Sequence, residues 1–126
     1  MLDRDANIDG LLNNSDSEEK LLALTVAAFY GKADKVKYLL DMGVGANGYP
    51  QAGSGFHAHA TPLHQAVSAK SLDVVKLLIN AGANLAAQDK MFDGIPLGWA
   101  EYLKREASNQ QDKAAYAEIE KYLRGL

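Results

Sequence analysis

Residues Thr61 to Asn84 read TPLHQAVSAKSLDVVKLLINAGAN, and each half of this stretch carries the punctuation of a short helix. Thr61 can cap an amino end, and Pro62 follows at the first helical position, where a missing N–H costs nothing. This helix is predicted to run to about Ala69. Ser71 opens a second helix with Asp73 in its first turn, favourable against the positive helix end, and Val74, Val75, Leu77, Leu78 and Ile79 supply a buried stripe. Gly82 supplies the left-handed residue that stops it. The unit is therefore a helix, a tight turn, a second helix and an extended loop.

The same unit recurs in both directions. Sliding Leu24 to Gly43 forward by 39 positions puts Leu24 on Leu63, Ala27 on Ala66, Asp34 on Asp73, Val36 on Val75, Leu39 on Leu78 and Gly43 on Gly82. In that first copy Ser15 and Glu18 have the spacing of a capping box, Gly31 marks the turn, and Val36, Leu39 and Leu40 are core. A third copy starts 34 positions after the second, with Pro96, Leu97 and Ala100 matching Pro62, Leu63 and Ala66. Ile119, Tyr122 and Leu123 stand where Val75, Leu78 and Ile79 would, so about ten residues are inserted between its halves. Ala115, Ile119, Tyr122 and Leu123 face inward, while Lys113, Glu118, Glu120 and Lys121 face outward, a polar face that suits a terminal cap.

TPLHQA followed by SLDVVKLLINAGAN closely resembles the ankyrin repeat. The first copy has LALTVA in place of the TPLH opening but keeps the turn glycine and second helix in YGKADKVKYLLDMG. The third, DGIPLGWAEYL, keeps proline, leucine and alanine and puts Gly98 where the histidine would be. Asp5 to Gly10 faintly resembles the loop that precedes a repeat. The resemblance implies an all-α ankyrin-repeat solenoid of stacked helix-turn-helix units with extended loop fingers. Residues 1–126 then form one domain: a terminal segment or degenerate cap at 1–16, repeat 1 at 17–49, repeat 2 at 50–87, and repeat 3 with the C-terminal cap at 88–126. It also implies a non-catalytic module that binds a protein partner. Physics agrees with this architecture, because one helix pair cannot cover its own apolar face and three is about the minimum for stability.

Composition narrows the partners. A chain of 126 residues with 48% hydrophobic residues fits one domain. Its net charge of −3, from 16 acidic and 13 basic residues mixed along the chain, leaves no basic face for phosphates. Nucleic acid is not an expected partner. The chain contains no cysteine, which excludes disulfides and thiolate metal sites and fits a reducing, cytoplasmic location. Met1 to Asn14 lacks the basic and apolar blocks of a signal peptide. The longest strongly apolar stretch, Leu21 to Tyr30, falls far short of the roughly 20 residues a bilayer span requires. A monomer with no cofactor and no membrane contact is expected.

His57, His59 and His64 in GFHAHATPLH are the only cluster worth testing for chemistry. Three imidazoles could bind zinc and leave one position open, which would make the chain a metal-binding protein or a metal-dependent hydrolase. Against this, the resemblance implies that His64 hydrogen-bonds the backbone of the neighbouring loop, and the loop from Gly43 to Ala60 holds no carboxylate. The run GVGANG at 43–48 has the GxGxxG spacing, but no strand precedes it and no helix starts at its last glycine. These glycines end a helix and turn the chain. Thr25, Ser54 and Ser68 have no base placed beside them by spacing. Glu101 and Arg105 read as an i,i+4 pair on a solvated face. No catalytic residue and no metal ligand is nominated.

A binding surface is the remaining expectation. The resemblance puts inner-helix exposure at Phe29 and Tyr30, at Ser68 and Ala69, and at Tyr102 and Leu103, with loop tips near His57 and Ala58 and near Met91 and Phe92. Aromatic and Met side chains are the types that anchor interfaces. Trp99 is assigned to the core. The first finger, GYPQAGSGFHAHA, is overlong: Gly43 to Thr61 spans 18 positions against 13 from Gly82 to Ile95. The candidate partner-binding residues are Tyr30, Tyr49, Phe56, His57, His59, Ser68, Met91, Phe92 and Tyr102. The leading function is regulatory or inhibitory protein binding, and the metal site is one alternative. A structural solenoid fragment of a longer protein is another.

Overall fold

The computed structural model describes residues 17–50 and 58–126. Among these residues the regular structure is entirely helical: α1 (Ser17–Phe29), α2 (Ala33–Asp41), α3 (Pro62–Ser68), α4 (Leu72–Asn80), α5 (Pro96–Glu106) and α6 (Gln110–Arg124). Each consecutive pair packs as a unit, α1 on α2, α3 on α4 and α5 on α6. The units stack in two layers, with α1, α3 and α5 in one and α2, α4 and α6 in the other. The result is the all-α helical solenoid expected from the repeats.

Local chemistry places the ends of the helices as read from the sequence. Thr61 Oγ1 accepts the His64 N–H at 3.4 Å, and Pro62 occupies the first helical position of α3. Ser71 Oγ accepts the Val74 N–H at 3.3 Å, with Asp73 in the first turn of α4. Gly43 and Gly82 follow α2 and α4 at φ of +91° and +94°. Ser15 and the side chain of Glu18, the expected capping box, lie outside the described residues.

Repeat-equivalent residues occupy equivalent places. Val36, Val75 and Ile119 are fully buried, as are Leu39 and Leu78, and Ala27, Ala66 and Ala100 lie buried where first-layer helices approach closely. Leu77 and Ile79, expected in the buried stripe, are only half-buried and flank it. Tyr122, the counterpart of Leu78, is half-buried on α6, and the Lys76 Nζ lies 5.4 Å from its ring centre. Tyr116, which the sequence did not single out, is buried on α6, and its hydroxyl reaches the Ser68 carbonyl at 3.4 Å.

The surplus in the third unit is helix. The connection from α5 to α6, residues 107–109, is as short as that from α3 to α4, residues 69–71. Instead α5 has 11 residues against 7 in α3, and α6 has 15 against 9 in α4. The lengthened ends enclose a shallow cleft of about 400 Å³ between Lys104, Arg105, Gln110, Lys113, Ala114 and Ala117. The pairing of Glu101 with Arg105 is not formed. Glu101 instead bonds to Arg124 of α6, and Arg105 lies over the Tyr102 ring, 5.9 Å from its centre. Arg124 also bonds to Glu120 at 3.0 Å, and Glu120 accepts from Lys104 at 2.5 Å. The hydrogen bonds from Lys104 and then Arg124 hold the Glu120 carboxyl below its ordinary range.

The two tight turns solve one backbone problem differently. Gly31 sits at φ +64°, and Lys70, its equivalent in the second unit, sits at φ +60°. A left-handed conformation costs a side-chain-bearing residue roughly 1–2 kcal/mol, and glycine avoids this at about 0.5–1 kcal/mol of extra chain entropy. Lys70→Gly is therefore expected to raise the unfolding free energy slightly, by under about 1 kcal/mol in urea denaturation. Leu78→Ala, which empties a fully buried site, is expected to cost roughly 2–5 kcal/mol in the same measurement.

Candidate functional site

The second finger, residues 81–95, is built around one carboxylate. Asp89 is 1% exposed. Its Oδ1 accepts the N–H groups of Met91 at 2.9 Å and Phe92 at 2.6 Å. Its Oδ2 accepts the Gly94 N–H and the Trp99 indole N–H, both at 2.8 Å. A buried carboxylate is tolerable only when bonded in this way. Burial pulls its pKa upward, but the bonds from Trp99 and the three backbone amides outweigh burial and leave it below the ordinary 3.8. The Asp89 N–H closes the loop on the Gly94 carbonyl at 2.9 Å, and the Asp93 N–H returns to the Asp89 carbonyl at 3.1 Å. The finger that carries Met91 and Phe92 thus has a fixed shape.

His64 ties this finger to the start of α3. Its Nε2–H donates to the Gly94 carbonyl at 2.8 Å, and its Nδ1 accepts the Thr61 N–H at 3.2 Å and lies 2.8 Å from Thr61 Oγ1. Both ring nitrogens are therefore committed, as the backbone role of His64 requires. Burial lowers the His64 pKa from 6.5, against smaller upward effects of the Gly94 carbonyl and Asp89. Trp99 packs edge-on against the ring at 4.8 Å. It is half-buried at the margin of the core, not inside it, because its indole N–H must reach Asp89.

Among the described residues four hydrogen bonds and one cation–π contact join the two fingers. Asn47 Nδ2 donates to the Gly82 carbonyl at 3.0 Å, and Asn47 Oδ1 accepts the Asn84 N–H at 2.7 Å. The Tyr49 hydroxyl donates to the Gln88 carbonyl at 2.5 Å while the Lys90 Nζ lies 4.7 Å from the centre of the Tyr49 ring. The Lys90 N–H donates to the His59 carbonyl at 2.7 Å.

The expected contact residues fall into distinct environments. Met91 and Phe92 stand side by side at the tip of the second finger, 62% and 74% exposed. Tyr30 and Tyr102 are 57% and 55% exposed, Tyr30 meeting the Phe29 ring edge-on at 5.0 Å. Tyr102 lies six residues along α5 from Pro96, about 9 Å from its finger-side start at 1.5 Å per residue. Ser68 is half-buried, and Tyr49 is half-buried between the fingers. His59 is half-buried with its ring 6.1 Å from Trp99, and its Nδ1 is buried with no hydrogen-bond partner. Phe56 and His57 lie outside the described residues.

The metal reading loses His64 as a ready ligand, while His57 lies outside the described residues. Among the described residues no group of three His, Cys, Asp or Glu side chains could hold a metal ion. His64, one of the three proposed ligands, has no nitrogen to spare. Sequence reasoning found carboxylates sparse near these histidines, yet the fold brings Asp89 from the next loop into their neighbourhood. A signal for it was available: an Asp accepting from the amides two and three residues on is an Asx-type turn, and Asp89 precedes the glycine of its loop by five residues.

The model of the family described as ankyrin repeats (3 copies) matches residues 3–89. The chain belongs to the ankyrin-repeat family. No individual curated protein matches it. The match ends at Asp89, so α5 and α6 join the solenoid on the evidence of their packing against α3 and α4. Ankyrin repeats are protein–protein interaction modules and generally non-catalytic, which makes this chain a protein-binding module. No helix among the described residues is long and apolar enough to cross a membrane.

Asp89 in the finger and His64 on α3 give a defined acid response. His64 has a lowered folded pKa, so the unfolded chain binds more protons below about 6.5 and stability falls as pH drops through that range. Asp89 also has a lowered folded pKa, so its contribution is present above about 3.8 and is lost as pH falls below it. The melting temperature is expected to decline in these two steps. Asp89→Asn is expected to melt lower at neutral pH and to lose less stability in the more acidic step, to which Glu120 also contributes.

Proposed function

We propose that this ankyrin-repeat chain is a regulatory or inhibitory protein, acting as a cytoplasmic monomer, that holds a protein partner against its loop fingers and the exposed surface of its first-layer helices. The observation that carries this reading is the pair Met91 and Phe92, two large apolar side chains left mostly in water on a finger whose backbone is fixed by Asp89. A preorganised apolar tip loses little entropy on binding, and truncating such anchors weakens complexes most. Tyr30 and Tyr102, more than half exposed on the first-layer side, extend the surface with side chains of the same kind. Tyr49, His59 and Ser68 complete it from the first finger and from α3, and Phe56 and His57, outside the described residues, are assigned to it from the sequence. Tyr49 and His59 also support the second finger through Gln88 and Lys90.

The test is affinity capture from native cells with mass spectrometry, run in parallel with the unaltered chain and with Phe92→Ala and Met91→Ala. Both variants are expected to melt within about 2 °C of the parent, since surface truncations lie within about ±0.5 kcal/mol, and to recover at least tenfold less of the captured protein. Equal recovery by parent and variants removes the second finger from the binding surface.

A further inference from the structure

The run GVGANG does not cradle a phosphate, but its last two residues carry a different chemistry. Asn47 spans the gap between the fingers with both ends of its amide, donating to the Gly82 carbonyl at 3.0 Å and accepting from the Asn84 N–H at 2.7 Å. It remains exposed to solvent. The next residue, Gly48, lies at φ +115°, and a Cβ there would come within 3.0 Å of the Leu21 Cδ2. The fold thus requires an amide at 47 to join the fingers and a glycine at 48 to turn the chain. These two structural demands create a chemically labile pair. A glycine carries no side chain to shield its backbone nitrogen, so that nitrogen reaches the preceding side-chain amide carbon with the least obstruction. The other asparagines, Asn7, Asn13, Asn14, Asn80, Asn84 and Asn109, are followed by Ile, Asn, Ser, Ala, Leu and Gln.

We propose that Asn47 is a site of spontaneous deamidation that unfastens one of the hydrogen bonds between the two fingers, the one to the Gly82 carbonyl. The Gly48 nitrogen attacks Asn47 Cγ and the new N–Cγ bond forms. The Cγ–Nδ2 bond breaks, and Nδ2 leaves as ammonia with the proton from the Gly48 amide. Water then opens the cyclic imide at either carbonyl, giving aspartate or isoaspartate at position 47, and no oxidant or reductant is needed. Either product lacks the donor for the Gly82 carbonyl and turns a negative charge toward it. The isoaspartyl product also lengthens the main chain just before a turn whose geometry only glycine meets. The inference stands apart from the proposed function, since it concerns the joint between the fingers whatever they bind.

Ageing the full-length folded chain in mildly alkaline buffer, followed by peptide mapping with mass spectrometry, reads the site directly. Conversion is expected at Asn47 ahead of every other asparagine, and to be absent from that position in Asn47→Gln, whose longer side chain would close a less accessible ring. The converted fraction, separated by its extra negative charge, is expected to melt about 3–6 °C below the unconverted chain, the size of one lost hydrogen bond in a domain of this length. Asn47→Asp, prepared without ageing, checks that shift independently. Faster conversion at another asparagine would overturn the assignment of the site. Converted protein and Asn47→Asp that both melt with the parent would overturn the unfastening.

Discussion

Each helix pair among the described residues is apolar on a face it cannot cover itself, and a neighbouring pair covers it. Val36, Val75 and Ile119 each fill the same place between layers, and Ala27, Ala66 and Ala100 keep the first-layer helices close enough for that contact. Burial is thus shared along the stack, and no unit owns a complete core. Because successive helix starts lie side by side, the loops that lead into them also emerge side by side. The fingers are neighbours as a consequence of how the apolar faces are satisfied.

The polar contacts then convert neighbouring loops into one surface. The Gly94 carbonyl receives both the Asp89 amide and the His64 imidazole, so the second finger and the start of α3 share an acceptor. Asp89 supplies charge where four donors converge, and the His64 ring is held neutral beside it by burial. Such a network is strong because every member is satisfied, and it is sensitive for the same reason. Loss of one partner leaves the others buried without compensation.

What the sequence disclosed and what it concealed divide along the range of the interactions. The caps at Thr61 and Ser71 and the glycines after α2 and α4 act within a few residues, so their signals are local and the helix ends follow from them. The periodic burial of Val36, Val75 and Ile119 was equally legible, because repetition supplies three readings of one pattern. Glu101 was misassigned because i,i+4 spacing favours Arg105, while the fold offers Arg124 from a helix packed alongside. Trp99 looked like core on hydrophobicity alone, yet its indole N–H holds it at the margin beside Asp89. Asp89 itself passed unnoticed because a loop aspartate ordinarily faces water, and only the folded loop shows it turned inward.

The third unit pairs its charges among themselves. A solenoid offers at its end the same kind of face that each unit offers its successor, and a second molecule could in principle add there and be added to in turn, a head-to-tail contact that never closes. Here that end carries Glu101, Lys104, Glu120 and Arg124, already bonded to one another across α5 and α6. A molecule docking over these residues would have to strip water from charges whose partners are already chosen. The charged clamp therefore sets a desolvation cost on any contact made over α5 and α6, one that a bare apolar face would not carry.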